Sequence, residues 1–490
     1  MSFGPPPSIF TQSTRAAEDA RARRRRHVLA VVAAVLVVVL GVGGGLLWYR
    51  SDHAPNTTPR VARQGPDEIR ETVEKVPRTP EGTAVIDYSE LVSAKNKSGV
   101  YAPGTWVTDK IFAKGIGSTV KGIKIGVGGL QEKAWTLKLS GHICATSPDV
   151  TVDGRTAVVV QPAQHKGAEG EGICDEIVFL DLDHGKVLWR RQLPGADQAY
   201  VTNTNLTMTR NTVAVAWRAG SVGYDMKAGK QLWKSTGVDA CQDVGFAGGR
   251  ALLALIRCGT EESPEYKVQK VDPHSGRPVW TYKVAQGIAQ VYLPSSDPPV
   301  LAVAAGDSEV TDLITLDDRG RHLATISLEG DLYDAMCGRH YGAIGYFRTI
   351  ESCDGVVVGR TEVFVVSTKE NWIMGFDRKT GKTRRKLDGR DSMQPIQPLR
   401  MSGDQLLVYS PTGDGIGPAA VLLWDPRTGK ERPFLLFSLP DDSRYELSDP
   451  DDSDIIVEGG RVFFAKRQLS PDEDHPDVAV TVAIGVGSVE

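Results

Sequence analysis

Three stretches of the sequence share one pattern: FLDLDHGKVLWRRQL (179–193), GYDMKAGKQLWKST (223–236) and KVDPHSGRPVWTYKV (270–284). Each contains an aspartate, a glycine four residues later and a tryptophan four residues after that glycine. In a β-hairpin the Asp side chain bonds the backbone of the turn, and the glycine takes the positive φ that closes it. The pattern therefore predicts a turn between two strands, with the tryptophan on the returning strand and buried against a neighbouring unit.

Three degenerate copies follow at 315–328, 375–387 and 423–437. The repeat residues are Asp181, Gly185, Trp189, Asp225, Gly229, Trp233, Asp272, Gly276, Trp280, Asp377, Gly381, Asp425 and Gly429, and the pair Asp317 and Gly320 is one residue shorter. Successive glycines are 44, 47, 44, 61 and 48 residues apart, and short β-rich runs lie between the copies. A period of 40 to 50 residues with about four strands per unit is typical of a β-propeller.

Two weaker units extend the repeat. VKGIKIGVGGLQEKAWTLKL (120–139) precedes the clear copies, and IIVEGGRVFFAKRQL (455–469) with VAVTVAIGVG (478–487) follows them. The last unit lacks an outer strand, which the run GTAVIDYSELV (82–92) can supply, so that the ring closes without open sheet edges. The sequence therefore predicts an all-β, eight-bladed propeller of four-stranded blades over residues 81–490, with seven blades as the alternative.

The pattern Asp-x-x-x-Gly-Lys-x-x-Trp resembles the PQQ-like propeller repeat, over residues 120–487. This blade occurs both in quinoprotein dehydrogenases and in lipoproteins that act as scaffolds for outer-membrane assembly. The whole chain resembles a membrane-anchored PQQ-like repeat protein of the actinobacterial type. Because enzymes and scaffolds share the blade, the resemblance implies the fold and does not by itself imply an activity.

The charge of the chain excludes one class of partner. The 490 residues hold 57 Lys and Arg against 61 Asp and Glu, a net charge of −4. Residues 1–49 hold six Arg and two acidic residues, a charge of +4, which leaves −8 for the remainder. A protein without a basic stripe is not expected to bind nucleic acid.

An uncharged run predicts a membrane anchor. Residues 28–49 (VLAVVAAVLVVVLGVGGGLLWY) are long enough to span a bilayer as a helix at about 1.5 Å per residue. Five arginines between Arg21 and Arg26 precede the run, which places the N-terminus in the cytoplasm. A cleaved signal peptide is the alternative, but the run is too long for one. We expect residues 1–27 to be a cytoplasmic tail and the propeller to be extracytoplasmic.

Two further features flank or lie within the predicted anchor. Gly41 and Gly45 form a GxxxG pattern of the kind that packs two membrane helices into a homodimer, unless they are simply small residues that a helix tolerates. Residues 50–80 are polar and rich in proline, and we expect a stalk that lifts the ring off the bilayer, with one or two helical turns at 67–75.

Six cysteines lie on the exported side: Cys144, Cys174, Cys241, Cys258, Cys337 and Cys353. Their even number predicts three disulfides, and their spacing does not fit a zinc site. Cys241 and Cys258 stand symmetrically about the turn signal Gly248-Gly249, so a hairpin there would place them side by side. Cys144 and Cys174 have the same layout about the turn signal Asp153-Gly154, with a longer polar loop before the second cysteine. Cys337 and Cys353 are similarly spaced, although the sequence between them shows a less clear hairpin.

The sequence shows no catalytic constellation. It has no HExxH, no P-loop and no Gly-x-Ser-x-Gly elbow. The acidic runs at 440–454 and 471–477 lack EF-hand spacing, and we interpret them as solvated loops, with His475 as a surface residue. We therefore name no catalytic, cofactor or metal residue.

Two functional interpretations remain. The first is a non-catalytic, extracytoplasmic binding or scaffold protein without a cofactor, whose partner is a protein or another envelope component. The alternative, implied only by the family resemblance, is a dehydrogenase with PQQ on a Ca²⁺ in the central funnel. Many such enzymes carry two adjacent cysteines above the quinone; this chain has no adjacent cysteines, and their functional residues match no position here.

Overall fold

The structure is a computed structural model. It describes residues 65–488 apart from short gaps at 94–98, 127–131, 164–171, 219, 237–240, 261, 307–308, 329, 331, 339–340, 343–344, 347–348, 390–393, 413–416, 442, 473–474 and 476. The predicted tail, anchor and GxxxG pattern lie outside the described residues. Within them, no helix is both long and apolar enough to cross a membrane.

Two strands precede the first blade, β1 (Gly82–Glu90) and β2 (Val100–Tyr101). Blade 1 consists of β3 (Thr105–Val107), β4 (Ile111–Ile116), β5 (Thr119–Lys124) and β6 (Lys133–Lys138). Blade 2 consists of β7 (Gly141–Thr146), β8 (Arg155–Pro162), β9 (Glu176–Asp181) and β10 (Lys186–Gln192). Blade 3 consists of β11 (Asn205–Thr209), β12 (Thr212–Trp217), β13 (Gly220–Asp225) and β14 (Gln231–Thr236).

Blade 4 consists of β15 (Cys241–Ala247), β16 (Leu252–Gly259), β17 (Pro264–Val271) and β18 (Pro278–Lys283). Blade 5 consists of β19 (Ile288–Ser296), β20 (Pro299–Ala305), β21 (Asp312–Leu316) and β22 (His322–Ser327). A short hairpin follows, β23 (Tyr341–Gly342) and β24 (Gly345–Tyr346). Blade 6 consists of β25 (Val356–Val358), β26 (Glu362–Ser367), β27 (Trp372–Asp377) and β28 (Thr383–Asp388).

Blade 7 consists of β29 (Gln397–Ser402), β30 (Gln405–Ser410), β31 (Ala419–Asp425) and β32 (Lys430–Phe437). The short helix α1 (Arg444–Ser448) leads to blade 8, which contains β33 (Ser453–Glu458), β34 (Arg461–Lys466) and β36 (Val480–Ser488). The short strand β35 (Gln468–Leu469) lies outside the blade and pairs with β2. The described residues thus form eight four-stranded antiparallel sheets. The ring has eight blades, as the repeat predicts, rather than seven.

The ring is closed by its two chain ends. The outer strand of blade 8 is β1, which pairs with β36 from Gly82 opposite Ser488 to Glu90 opposite Val480. Innermost strands of neighbouring blades contact one another from blade 2 to blade 8, and β3 of blade 1 contacts β33 of blade 8. Closure by a strand from the opposite end of the chain gives blade 8 its fourth strand, so that β36 is paired on both sides.

The antiparallel order gives the ring two distinct faces. The turns between first and second strands, and between third and fourth strands, lie at one end of every blade, which we call the lower face. The turns between second and third strands, and the connections from blade to blade, lie at the other end, which we call the upper face. This polarity decides where each loop described below is found.

The repeat residues form the turns between third and fourth strands. The Asp225 carboxylate accepts a hydrogen bond from the Ala228 amide at 2.8 Å, and Asp377 accepts one from Thr380 at 2.8 Å. The matching glycines have positive φ, 62° at Gly229 and 68° at Gly381. An aspartate and a left-handed glycine therefore define the same turn in successive blades.

The repeat tryptophans connect each blade to the next. The Trp189 ring lies against Gly229, where an added Cβ would come within 2.6 Å of it, and its indole N–H donates to the Met226 carbonyl at 2.8 Å. Trp233 and Trp280 make the same two contacts with the turns of blades 4 and 5. Only Trp189 is buried; Trp233 and Trp280 are partly exposed, which corrects the expectation that all three are buried. Because the outer strand lies at the rim of the propeller, one face of the Trp233 and Trp280 side chains meets solvent.

Three disulfides join Cys144 to Cys174, Cys241 to Cys258, and Cys337 to Cys353. Cys241 and Cys258 stand opposite each other on β15 and β16, as the hairpin argument predicts. The first pair differs from its predicted layout, because Cys174 does not lie on the strand that returns from the turn at Asp153. It precedes β9, so the bridge joins the innermost strand to a loop two strands away.

Two segments depart from the repeat. The 61-residue spacing reflects an extra loop, residues 328–355 between β22 and β25, which contains the third disulfide. The predicted stalk is also shorter than expected, because residues 65–80 lie against the propeller: the Arg70 amide donates to the Val150 carbonyl, and the Leu436 amide donates to the Pro80 carbonyl. These residues form no helix in the region 67–75.

Candidate functional site: the central funnel

The centre of the ring contains a cavity of about 330 Å³, which we call the funnel. Its walls come from blades 1, 2, 3 and 8 and from the extra loop before blade 6, and they include Tyr101, Thr146, Thr204, Ser352 and Arg467. Tyr101 on β2, Thr204 before β11 and Arg467 after β34 stand at the upper face. The funnel therefore reaches toward the upper face.

A charged network forms one wall of the funnel. Asp454, on the innermost strand of blade 8, accepts hydrogen bonds from Arg467 Nε at 2.8 Å and from Thr105 Oγ1 at 2.5 Å. The ammonium of Lys114, which is fully buried, lies 3.5 Å from the same carboxylate. Arg467 also binds Asp354 at 3.2 Å, so two cations balance two carboxylates.

Burial and pairing set the protonation of this network. Burial lowers the pKa of Lys114 to about 8, and the attraction of Asp454 only partly offsets it. Burial also works against the charge of Asp454, but Arg467 and Lys114 hold the pKa of that carboxyl well below its usual range. The wall is electrically neutral overall, and its charges satisfy one another, which is the condition for burying ions at acceptable cost.

A segment of the extra loop, residues 349–354, lies inside the ring. Glu351 accepts hydrogen bonds from Thr207 Oγ1 at 3.0 Å and from the Gly248 amide at 3.1 Å, on blades 3 and 4. Its second carboxylate oxygen is buried and has no partner among the described residues. Burial raises the pKa of Glu351 to about 8, and the nearby Asp149 adds to that rise.

Asp149 approaches the same place from the turn between β7 and β8. Burial raises its pKa to about 7, and repulsion from Glu71 of the N-terminal segment contributes. Three carboxyl groups, on three separate segments, are therefore close enough to affect one another at the bottom of the ring. In the part of the chain that the structure describes, no group of three or more acidic, histidine or cysteine side chains has the geometry to hold a metal ion.

The residues singled out from the sequence and the residues that line the funnel are largely different sets. The disulfide residue Cys144 lines the funnel, and Asp454 is the final residue of the acidic run predicted to be solvated. The aspartates, glycines and tryptophans of the repeat lie at the lower face and the rim. The funnel residues carry no local signature, because they come together only when blades 1, 2, 3 and 8 and the extra loop before blade 6 are assembled in the ring.

Comparison with models of protein families shows the family to which the chain is related. The profile of the PQQ_2 family, described as outer membrane protein assembly factor BamB, matches residues 131–242 and 264–469. The chain belongs to this family. A comparison with curated proteins finds no match.

Solved structures resemble the PQQ_2 chain at low identity. BamB from Moraxella catarrhalis is 13% identical, with a TM-score of 0.42 and coverage of 84% of this chain and 98% of the other. The Cps50 (Swd1) β-propeller domain of Myceliophteria thermophila is 13% identical, with a TM-score of 0.38 and coverage of 69% and 97%. Hydrazine synthase of Kuenenia stuttgartiensis is 11% identical, with a TM-score of 0.37 and coverage of 66% and 92%.

The funnel does not fit the pair of cofactors that the alternative function requires. Calcium takes six to eight oxygen ligands, and carboxylates dominate such sites. The two carboxylates that line the funnel, Asp354 and Asp454, are both engaged with Arg467, and Asp454 also has Lys114 beside it. A divalent cation here would have to compete with two fixed positive charges, so we derive no chemistry through PQQ or calcium.

Proposed function

We propose that this protein is a non-catalytic scaffold, anchored in the membrane through residues 28–49, which presents its propeller outside the cytoplasm and binds a protein or another component of the cell envelope. Membership of a family described by an assembly factor supports the scaffold role. The three disulfides support the compartment, because disulfides persist in oxidising, extracytoplasmic environments.

One observation carries the proposal: the polar groups at the centre of the ring are used to hold the ring together. Arg467 joins blade 8 to the extra loop through Asp354, and Thr105 and Lys114 join blade 1 to Asp454. Glu351 joins that loop to blades 3 and 4. A centre built from such internal bonds favours a rigid platform whose loops bind partners, since loops on a rigid frame commonly carry binding residues.

Two sets of variants test the scaffold role. Affinity capture from envelope extracts, with the full chain as bait, is read by mass spectrometry for the wild type and for each set. Alanine replacements at exposed loop residues of one face, such as Lys369 and Glu370, are expected to abolish capture of a specific protein without lowering the melting temperature of the variant. Alanine at Asp225 or Asp272, which hold hairpin turns of the blades, is expected to lower the melting temperature before it affects capture.

Two results would overturn the proposal. Turnover of an alcohol or sugar with added PQQ and Ca²⁺, at about 1 s⁻¹ or faster, would show an enzyme. A reporter active only in the cytoplasm, fused after residue 490, is expected to be silent, and an active reporter would contradict the topology.

A further inference from the structure

The last turn and the outer strand of blade 6 carry an excess of positive charge. The stretch DRKTGKTRRKLD (377–388) contains six lysines and arginines against two aspartates, a net charge of +4. In blades 2, 3, 4, 5 and 7, the twelve residues that start at the repeat aspartate carry a net charge between 0 and +2. The expectation that the chain lacks a basic stripe therefore holds for its average charge and not for this blade.

Five of these six cations are exposed, and we call them the basic rim: Lys379, Lys382, Arg384, Arg385 and Lys386. The two lysines at 379 and 382 lie in the lower-face turn between β27 and β28, and the other three cations lie on β28, the outermost strand of the blade. The sixth cation, Arg378, is half-buried and donates to the carbonyls of Leu316 and Arg360. The basic rim thus faces solvent at the outer edge of the lower face.

Neighbouring carboxylates neutralise the basic rim only in part. Arg384 Nε donates to Asp377 at 3.2 Å, and the Lys386 ammonium lies 2.6 Å from the Asp388 carboxylate. Within the part of the chain that the structure describes, Lys379 and Lys382 form no ion pair. These two ammonium groups are therefore available to an anion outside the molecule.

The next blade extends this positive surface. The Arg385 guanidinium lies over Gly429 and donates to the Arg427 carbonyl at 3.1 Å, so β28 contacts the corresponding turn of blade 7. Arg427 and Lys430 of that turn are also exposed. The positive surface therefore spans two neighbouring blades.

The upper face carries the opposite charge. The acidic runs at 440–454 and 471–477 belong to the upper-face connections into and within blade 8. Among their described members, Asp441 and Asp477 are exposed. An anionic surface attracts the basic rim and repels this acidic face, so both forces favour the same orientation of the propeller.

The composition of the basic rim favours a lipid surface over a protein partner. The centres of protein–protein interfaces are rich in aromatic and apolar anchors and poor in lysine. Three of the five cations of the basic rim are lysines, and the described residues 377–388 include no exposed large hydrophobic side chain. Exposed cations without an apolar anchor suit the phosphates of lipid headgroups, which attract Lys and Arg without a defined pocket.

We propose that the basic rim is a binding surface for anionic phospholipid headgroups, which brings the outer edge of the lower face, at blade 6, against a membrane surface. This inference goes beyond the proposed function and does not depend on the anchor at 28–49. Attraction between exposed charges falls off over about 8 Å at physiological ionic strength. The contact is therefore expected to depend on the charge of the lipid and on the concentration of salt.

Fluorescence quenching in proteoliposomes tests the binding surface. The full chain carries a fluorescent non-natural amino acid at Thr383, an exposed neutral position on β28. The vesicles contain a constant fraction of lipid with a nitroxide on the headgroup, in phosphatidylcholine alone or with roughly one third phosphatidylglycerol. We expect at least threefold stronger quenching in the anionic vesicles, and we expect about 1 M NaCl to remove the increase. Equal quenching in the two lipids, or an increase that survives salt, would overturn the proposal.

Two matched pairs of substitutions locate the effect. Lys379→Glu with Lys382→Glu reverses two exposed turn cations of blade 6 and is expected to abolish the increase in quenching. Lys227 and Lys230 occupy the same two turn positions in blade 3 and are also exposed. Lys227→Glu with Lys230→Glu changes the net charge equally and is expected to preserve the increase. Equal losses in the two variants would show that net charge, rather than the basic rim, determines the contact, and would contradict the proposal.

Vesicle flotation separates this proposal from the membrane anchor. A full chain that floats only with anionic vesicles, and no longer floats after the Lys379 and Lys382 substitutions, would contradict the anchor and support the basic rim. A chain that floats with both lipids without any charge-dependent quenching would overturn the basic rim and not the anchor. Capture of an acidic protein through Lys379 and Lys382, with quenching unchanged by phosphatidylglycerol, would likewise replace the lipid with a protein partner.

Discussion

At the scale of single residues, Trp189 shows how one side chain connects two blades. It is 7% exposed, packs on Gly229 and donates to the Met226 carbonyl. We expect Trp189→Ala to lower the free energy of unfolding by about 3–5 kcal/mol, because it removes a large buried ring and leaves a cavity. Trp280→Ala is the matched control, with a smaller loss because Trp280 is partly exposed. Denaturant unfolding measures both, and equal losses would contradict the argument.

Arg385 shows what the repeat pattern could not reveal. It stands four residues after Gly381, where other copies have tryptophan, and it covers Gly429 of the next blade while its guanidinium donates to the Arg427 carbonyl at 3.1 Å. A planar, cationic group thus makes the two contacts that an indole makes elsewhere. An alignment of the copies shows only that the tryptophan is missing at this position. The position requires a flat side chain with a hydrogen-bond donor, and arginine meets that requirement as well as tryptophan does.

At the scale of elements, residues 65–76 form a segment across the lower face of the ring, the strap, which depends on Glu74 more than on its other carboxylates. Glu74→Ala removes the buried carboxylate that binds Arg400 and accepts from two glycine amides. Arg400 keeps the Thr72 and Val457 carbonyls as acceptors, so we expect a loss of about 3 kcal/mol, the low end of the range for a broken buried ion pair. We expect the strap to detach while the ring stays folded. Hydrogen exchange at the Arg70 amide, which is bonded to Val150 in the native state, measures detachment.

Glu68→Ala provides the control for the strap. Its partner Arg210 is largely exposed and 3.4 Å away, so the expected loss is within about 1 kcal/mol. Protection of the Arg70 amide should therefore survive in this variant. Equal exchange rates in the Glu68 and Glu74 variants would show that burial does not decide how the strap is held.

Inside the ring, the buried carboxyl groups of Asp149 and Glu351 predict that the free energy of unfolding depends on pH. Burial raises the pKa of Asp149 to about 7 and that of Glu351 to about 8. The folded state then holds protons that the unfolded state releases near pH 4, so stability from these groups is greatest in acid and falls as the pH rises toward 8. The free energy of unfolding should follow this trend between pH 5 and 8.

The double variant Asp149→Asn with Glu351→Gln isolates this effect, because neither amide titrates. Its free energy of unfolding is expected to vary less than that of the wild type between pH 5 and 8. Urea unfolding at several pH values in that window provides the comparison. Parallel pH profiles for the two proteins would mean that the carboxyl pair is ionised, or absent from the interior, throughout.

The sequence predicts the strap and the extra loop poorly, for a physical reason. The blades repeat because each must present the same turn and the same buried strands, and that periodicity is visible in the residues. The strap and the extra loop occur once, and their bonds join residues far apart in the chain, as between Glu74 and Gly460. Proline and charge in the strap are the marks of a linker, and its partners appear only after the ring has formed.

At the scale of the whole molecule, the ring depends on one joint between the chain ends. Strand β1 carries the joint, and its Ile86 is fully buried while Ala84 is exposed. The sequence predicts this joint because the last unit lacks an outer strand and the first run supplies one. The geometry of the ring explains why this joint matters for stability. If β1 detaches, the edge of β36 is exposed and the contact between blades 1 and 8 is weakened.

Aspartate at these two positions tests the weight of the joint in the full chain. Ile86→Asp places an unpaired carboxylate in the core, so we expect a loss of at least about 3 kcal/mol and self-association through the freed edge. Ala84→Asp introduces the same group on the exposed side of the same strand and should change the free energy of unfolding by no more than about 0.5 kcal/mol. Denaturant unfolding and sedimentation velocity measure the two effects. If both variants stay monomeric and equally stable, β1 is a dispensable edge and the seven blades within the chain hold the ring without it.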